Sequence, residues 1–283
     1  MRVLQLLLLV LGLTACTEDF APGSLLAGPR LLAVEVDPLE VGPGEQLTHS
    51  PRYVVPLGGA VPAATWRFCP FTAGPQAGYA CAIPACETTL LAEADGRVVA
   101  DPTALALSCL QTLGAMAGGA GPSSSTPELP KVVELAFKIE LRTPEDQREV
   151  IVRVPYYPRG VPEPRNRAPV IESVTIGGVV SSTTAAAAPL ARDAKVEIVV
   201  RTAAASLDSY VDSAGNSRTE EPLVSYYSTA GRFDSDRASG IVASNMLEAT
   251  ELKDGDDKAL IFVVVRDGRG GQRWRGPFEI PIR

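Results

Sequence analysis

Between Lys131 and Arg142 the chain sets Val133, Leu135, Phe137, Ile139 and Leu141 against Glu134, Lys138 and Glu140. A period of two puts alternate side chains on opposite faces of a strand, so one face is core and the other wet. Glu149 to Val154 repeats the pattern, and Thr143-Pro144-Glu145-Asp146 between them reads as the turn of a hairpin. A half-wet hairpin must bury its apolar face against another layer, which for a β-rich chain is a second sheet. The composition agrees, with 24 Pro and 25 Gly to punctuate many short strands. The 283 residues suffice for two domains of about 100 to 150 residues each.

The first domain is expected over 31–155. Leu31-Leu32-Ala33-Val34-Glu35-Val36 reads as a strand, turned by Asp37-Pro38, and Val41-Gly42-Pro43-Gly44-Glu45 leads into a second at Gln46-Leu47-Thr48. Trp66 and Phe68 alternate on another strand, and Trp66 is expected in the core. Asp101-Pro102-Thr103 before a run of helix formers ending at Gly114 predicts a short helix with Asp101 as N-cap and Pro102 at N1. Leu105, Cys109, Leu110 and Leu113 share one face of it at helical spacing. Residues 115–130, rich in Gly and Ser, are expected to be a loop, and 156–169, with Pro158, Pro162, Pro164 and Pro169, a semi-rigid linker. The second domain, 170–283, opens on Val170 to Ile176. Further strands are expected at 194–202, 222–228, 241–248, 259–266 and 277–283.

Five cysteines occur. Cys69, Cys81, Cys86 and Cys109 cluster at intervals of 12, 5 and 23 residues, without a paired CxxC knuckle, which favours disulfides over a zinc site. Three connectivities are open, of which Cys69–Cys81 with Cys86–Cys109 closes modest local loops. Residues 69–113 therefore read as a disulfide-stapled insertion carrying the helix.

The fifth, Cys16, follows Met1-Arg2 and an apolar run from Val3 to Leu13 that is broken by Gln5 and Gly12. This run is shorter than the roughly 20 residues needed to span a bilayer, so 1–15 reads as a signal peptide. Leu13-Thr14-Ala15-Cys16 resembles the lipobox of bacterial lipoproteins. The resemblance implies cleavage before Cys16 and acylation of Cys16, with palmitate-type chains in the membrane. Thr17, where that family carries Asp for inner-membrane retention, implies the outer membrane, with the leaflet left open. Residues 16–30 would then be a lipidated, flexible tether.

The opening of the first domain and two stretches of the second resemble bacterial immunoglobulin-like and polycystic-kidney-disease-type sandwiches. The second-domain stretches are Val224-Ser225-Tyr226-Tyr227 through Gly231-Arg232-Phe233, and Leu260 to Val265 followed by Arg266-Asp267-Gly268-Arg269-Gly270-Gly271. The implied fold is mainly β, with two immunoglobulin-like β-sandwich domains in series. Lipobox, Trp66-Arg67-Phe68-Cys69-Pro70 and C-terminal sandwich together resemble predicted surface lipoproteins of myxobacterial type, a likeness that implies a fold and an address but no activity.

The net charge of −7 argues against nucleic acid as a partner. No G-x-S-x-G, H-E-x-x-H or phosphate-cradling motif occurs, and the single histidine, His49, reads as an exposed turn residue, so no enzyme is expected. Asp234-Ser235-Asp236 reads as a turn. Asp254, Asp256 and Asp257 are the candidates for calcium, the one metal whose oxygen chemistry they suit; no other cofactor is expected. The expected role is a binding or scaffold lipoprotein that meets another envelope protein or a glycan. The alternatives are a subunit of an envelope secretion or motility assembly, and a hydrolase with an unrecognised site.

Overall fold

The computed structural model describes residues 23–56, 62–116, 130–142, 147–211, 216–250, 252 and 257–283. Cys16, the signal segment, most of the 115–130 loop, Asp254 and Asp256 lie outside them.

The first sandwich comprises β1 (Arg30–Asp37), β2 (Leu47–Val54), β3 (Ala63–Cys69), β4 (Thr88–Leu90), β5 (Val98–Ala100), β6 (Val133–Arg142) and β7 (Gln147–Tyr156). They form an antiparallel three-stranded sheet, β1-β2-β5, facing a four-stranded one, β4-β3-β6-β7. The second comprises β8 (Ile171–Ile176), β9 (Val179–Val180), β10 (Lys195–Thr202), β11 (Ser209–Val211), β12 (Ser217–Thr219), β13 (Leu223–Ser228), β14 (Arg232–Phe233), β15 (Arg237–Ser239), β16 (Val242–Glu248), β17 (Lys258–Arg266) and β18 (Gln272–Pro281). Its sheets run β14-β16-β10-β8-β9 and β15-β13-β17-β18, with β11-β12 a separate hairpin. In each sandwich the first, second and fifth principal strands form one sheet while the third, sixth and seventh form the other, which is the immunoglobulin-like arrangement. The fold is mainly β, with two such sandwiches.

Each sandwich has its own core. Trp66, Phe68, Phe137 and Ile139 meet Val34, Val36 and Val98 in the first, and Tyr226, Phe233 and Phe278 meet Ile198, Val200 and Leu247 in the second. His49 departs from the sequence reading. Pro51 and Ser50 gave its neighbourhood the look of a turn, but it lies within β2, which past its pairing with β5 is open on one side and so tolerates Pro51. Its ring points inward, fully buried, 4.2 Å from Phe137 and 5.4 Å from Trp66 between ring centroids.

Helix α1 (Pro102–Met116) begins as its cap predicts, the Asp101 carboxylate accepting from the N–H groups of Thr103 and Ala104 at 2.9 and 3.0 Å. The expected apolar face is only partly realised. Cys109 is buried and Leu105 half-buried, but Leu110 is exposed, and the Leu113 side chain lies outside the described part. The stapled insertion is also less foreign to the sandwich than expected, since β4 and β5 within it are sheet members. At three residues each, they are too short to show a period.

Cys69–Cys81 and Cys86–Cys109 are bonded, with Cα separations of 5.6 and 4.8 Å. The first folds the 69–81 segment against β7, where Arg153 lies over the Tyr79 ring, and the second ties α1 to the turn at Pro84–Cys86. Replacing either pair by serine is expected to cost about 3 kcal/mol through the loop entropy released in the unfolded chain, read as a lower urea midpoint.

A candidate binding cleft beside an interlocked domain joint

Five consecutive residues of β1, Leu32 to Val36, are buried, and so are five of β17, Ile261 to Val265. Strands buried on both faces must be covered from both sides, and here each sandwich covers the other. Val34 and Val36 face the first core, while Leu32 and Ala33 face Val54, Phe262, Val264 and Leu26 in a third cluster between the sandwiches. β17 alternates in the same way between its own core and this cluster. Trp274 stacks on Phe262 at 6.0 Å, under the Arg52 guanidinium. Glu35 accepts from the Trp274 N–H at 3.2 Å and is ion-paired with Arg52. A large apolar contact of this kind removes the freedom that two linked domains otherwise keep.

The joint extends into the N-terminal segment and the linker. Residues 16–30 read as a flexible tether, but in their described part Ser24 and Leu26 are buried. The Leu26 N–H donates to the Ser228 carbonyl at 2.8 Å and the Ser228 N–H to the Ser24 carbonyl at 2.9 Å, laying this segment along β13. Asp236, in the expected turn, accepts from the Ser24 N–H. The 156–169 linker is bonded to both sandwiches. Arg165 forks onto Glu45 of the first and holds its carboxyl below the usual range, and Arg167 pairs with Asp208 of the second at 2.7 Å, doing the same there.

At the centre of the joint lies a charge network that sequence reasoning did not find. Arg269, on the turn after β17, reaches Glu220 at 3.1 Å and Glu40 at 3.5 Å, and both carboxyls are buried. Glu40 also accepts from the Asn166 N–H of the linker at 3.0 Å, and Glu220 from the Asp208 N–H at 2.9 Å. Asp267 holds the turn by accepting from the N–H groups of Arg269 and Gly271 at 2.7 and 2.9 Å. Burial raises the carboxyls of Glu220 and Asp267 above the ordinary carboxylate range. These residues come from four loops and a linker, so no spacing in the sequence brings them together.

Beside the joint opens a cleft of about 550 Å³. Its walls are Leu31 to Val34 of β1, Val150 to Arg153 of β7, and the β17–β18 turn. Consecutive residues of both strands line it, so each strand presents its backbone edge and not one face. Arg153, Arg266 and Arg269 line it with Glu134 as its carboxylate. Arg153 pairs with Glu134 at 3.1 Å, whereas Arg266 bonds the neutral oxygens of Ser225 and Leu32 at 2.9 and 2.8 Å. A smaller cavity of about 230 Å³ shares Leu31 and Val150 and adds Arg30 and Arg148, continuing the groove along the same two strands.

Of the expected calcium ligands, Asp257 is exposed, while Asp254 and Asp256 fall outside the described residues. Among the described residues no three acidic, histidine or cysteine side chains converge as a metal cage requires. None of the described helices is long and apolar enough to cross a membrane.

No protein-family model matches the sequence, and neither does a curated protein. Solved structures similar to it include a chimeric titin Z1Z2 functionalised with a decorin peptide, at 12% identity over 91% of this chain and 97% of that one, with a TM-score of 0.23. Another is the D00-D0 domain of intimin, at 8% identity over 89% and 100%, TM-score 0.25. A third is the FN1-FN3 segment of chicken CNTN1, at 13% identity over 91% and 69%, TM-score 0.22. The immunoglobulin-like assignment rests on the strand order of this chain itself.

Proposed function

We propose that the chain is a cell-envelope lipoprotein, held to the outer membrane by acyl chains on Cys16, whose two sandwiches act as one rigid binding or scaffold module for another envelope protein or a glycan. The observation that carries the binding role is the groove walled by two strand edges, because a bare edge is a template for another chain and is normally covered or blunted. Catalysis is not part of this reading. Glu134, the carboxylate lining the cleft, is spent on Arg153, and His49 is sealed in the core.

A second reading, as a subunit of a secretion or motility assembly, is favoured by β9. This edge strand of the second sandwich exposes Val179 and Val180 by about two thirds, which suits a permanent partner better than solvent.

Mild crosslinking of the native envelope followed by affinity capture of the mature protein tests both. It is run with and without calcium, since Asp254, Asp256 and Asp257 are the residues that would bind it, and with Cys16→Ser to release the anchor. One envelope protein or glycan recovered repeatedly by the wild type supports the module, and a near-equal amount of one protein lost on Val180→Lys supports the assembly subunit. Recovery of neither protein nor glycan overturns both.

A further inference from the structure

The bare edge of β7 can be specified atom by atom. The Val41 N–H donates to the Pro155 carbonyl at 3.1 Å and the Tyr157 N–H to the Val41 carbonyl at 2.8 Å, so Pro155 and Tyr157 turn their backbone groups away from β6. Along a strand these directions alternate, and β7 pairs with β6 without a register shift. Glu149, Ile151 and Arg153 therefore point their N–H and C=O groups outward as well, those of Ile151 and Arg153 into the groove, and none of the three has a backbone partner among the described residues. The chain itself supplies a short parallel partner at Val41, next to Tyr156, and then leaves the edge, because β1 belongs to the other sheet. Pro155 marks the change, a residue with no N–H to offer on the side where one would be exposed.

We infer that residues 149–153 of β7 accept an extended, acidic peptide segment of a partner protein as an added strand. This deepens the proposed binding role by naming its site and the chemistry of what it takes. Main-chain bonds to Glu149, Ile151 and Arg153 would hold the segment, and alternate side chains would enter the apolar seam of Leu31 and Val150. Acidity is called for by the groove's charge. Among the lining arginines, Arg153 is paired with Glu134 and Arg269 with Glu40 and Glu220, so the charge the groove offers is that of Arg266 and Arg30, on a chain whose net charge is negative. Arg266 and Arg30 in particular hold backbone or hydroxyl oxygens and no carboxylate among the described residues.

The test is panning of a random nine-residue peptide library on the disulfide-bonded mature chain, with the enriched peptides then synthesised and titrated. Expected are peptides rich in Asp or Glu and in β-branched residues. They should bind at least tenfold more weakly to Ile151→Pro, which removes an outward N–H and no bond to β6. Near-UV circular dichroism and the urea midpoint establish that Ile151→Pro is folded; should it not be, Glu149→Pro replaces it. Arg30→Gln should weaken acidic peptides severalfold and leave neutral ones unchanged. Failure to enrich any peptide, enrichment of basic ones, or equal binding by the folded proline variant overturns the inference. An envelope partner captured equally by wild type and Ile151→Pro would sustain the binding module while removing this site from it.

Discussion

Arg269→Ala is expected to destabilise the protein by about 3–5 kcal/mol at neutral pH, because it strands two buried carboxylates that share this guanidinium. The loss is expected to depend on pH in a definite direction. In the variant, Glu220, already raised by burial, loses the counter-charge that lowers it, so its protonated form is favoured further. Unfolded glutamates take up protons only near roughly pH 4.3, so the penalty is full at neutral pH and shrinks as pH falls to that value. Combining Arg269→Ala with Glu220→Gln should recover part of the loss by removing one stranded charge. Arg269→Lys should recover less than half, since one ammonium cannot reach two carboxyls as a fork does. Urea unfolding at about pH 7 and about pH 4.5 measures all four proteins. A single alanine variant within ~1 kcal/mol of wild type at both would mean the network is solvated and holds nothing.

The second large effect concerns His49. Burial pushes its imidazole down to about 3, and neither ring nitrogen has a hydrogen-bond partner among the described residues. The folded chain thus withholds a proton that the unfolded chain binds below about pH 6.5. Stability due to the neutral ring is intact above that value and falls as pH falls from about 6.5 toward about 3, by roughly 2–3 kcal/mol at about pH 4.5. Glu220 and Asp267, with raised carboxyls, act in the opposite sense, losing their contribution as pH rises. A comparison with His49→Leu cancels them. That variant, similar in volume and without orphaned nitrogens, is expected to match or exceed wild type at neutral pH, with its advantage widening on acidification. Parallel stability curves for the two proteins would show that the imidazole takes up its proton in the folded state.

How far the sequence could be read depended on whether the information was local. The β6–β7 hairpin, the Asp101 cap and the core position of Trp66 were legible because period, cap chemistry and residue type act within a few residues. His49 was misread because proline and serine beside it signal a turn wherever tertiary pairing does not override them. The joint was missed although part of its signal was present. Leu260 to Val265 is an uninterrupted apolar run, which an immunoglobulin-like strand with one wet face would not carry, and Leu31 to Val34 is another. Both runs needed a second covering layer. The Arg269 network and the β1–β7 groove had no such trace, because their residues meet only after four loops, a linker and two sheet edges have been placed.

The clamping of Ser24 and Leu26 onto β13 reverses the order in which the chain would bear mechanical load. A pull arriving through residue 23 meets the second sandwich first, at the Ser24 and Leu26 bonds to Ser228, and reaches β1 only after those bonds part. The sandwich farther along the sequence is thereby the nearer one to any force applied at the N-terminal side. The first sandwich, with its groove, is shielded from tension until that clasp yields.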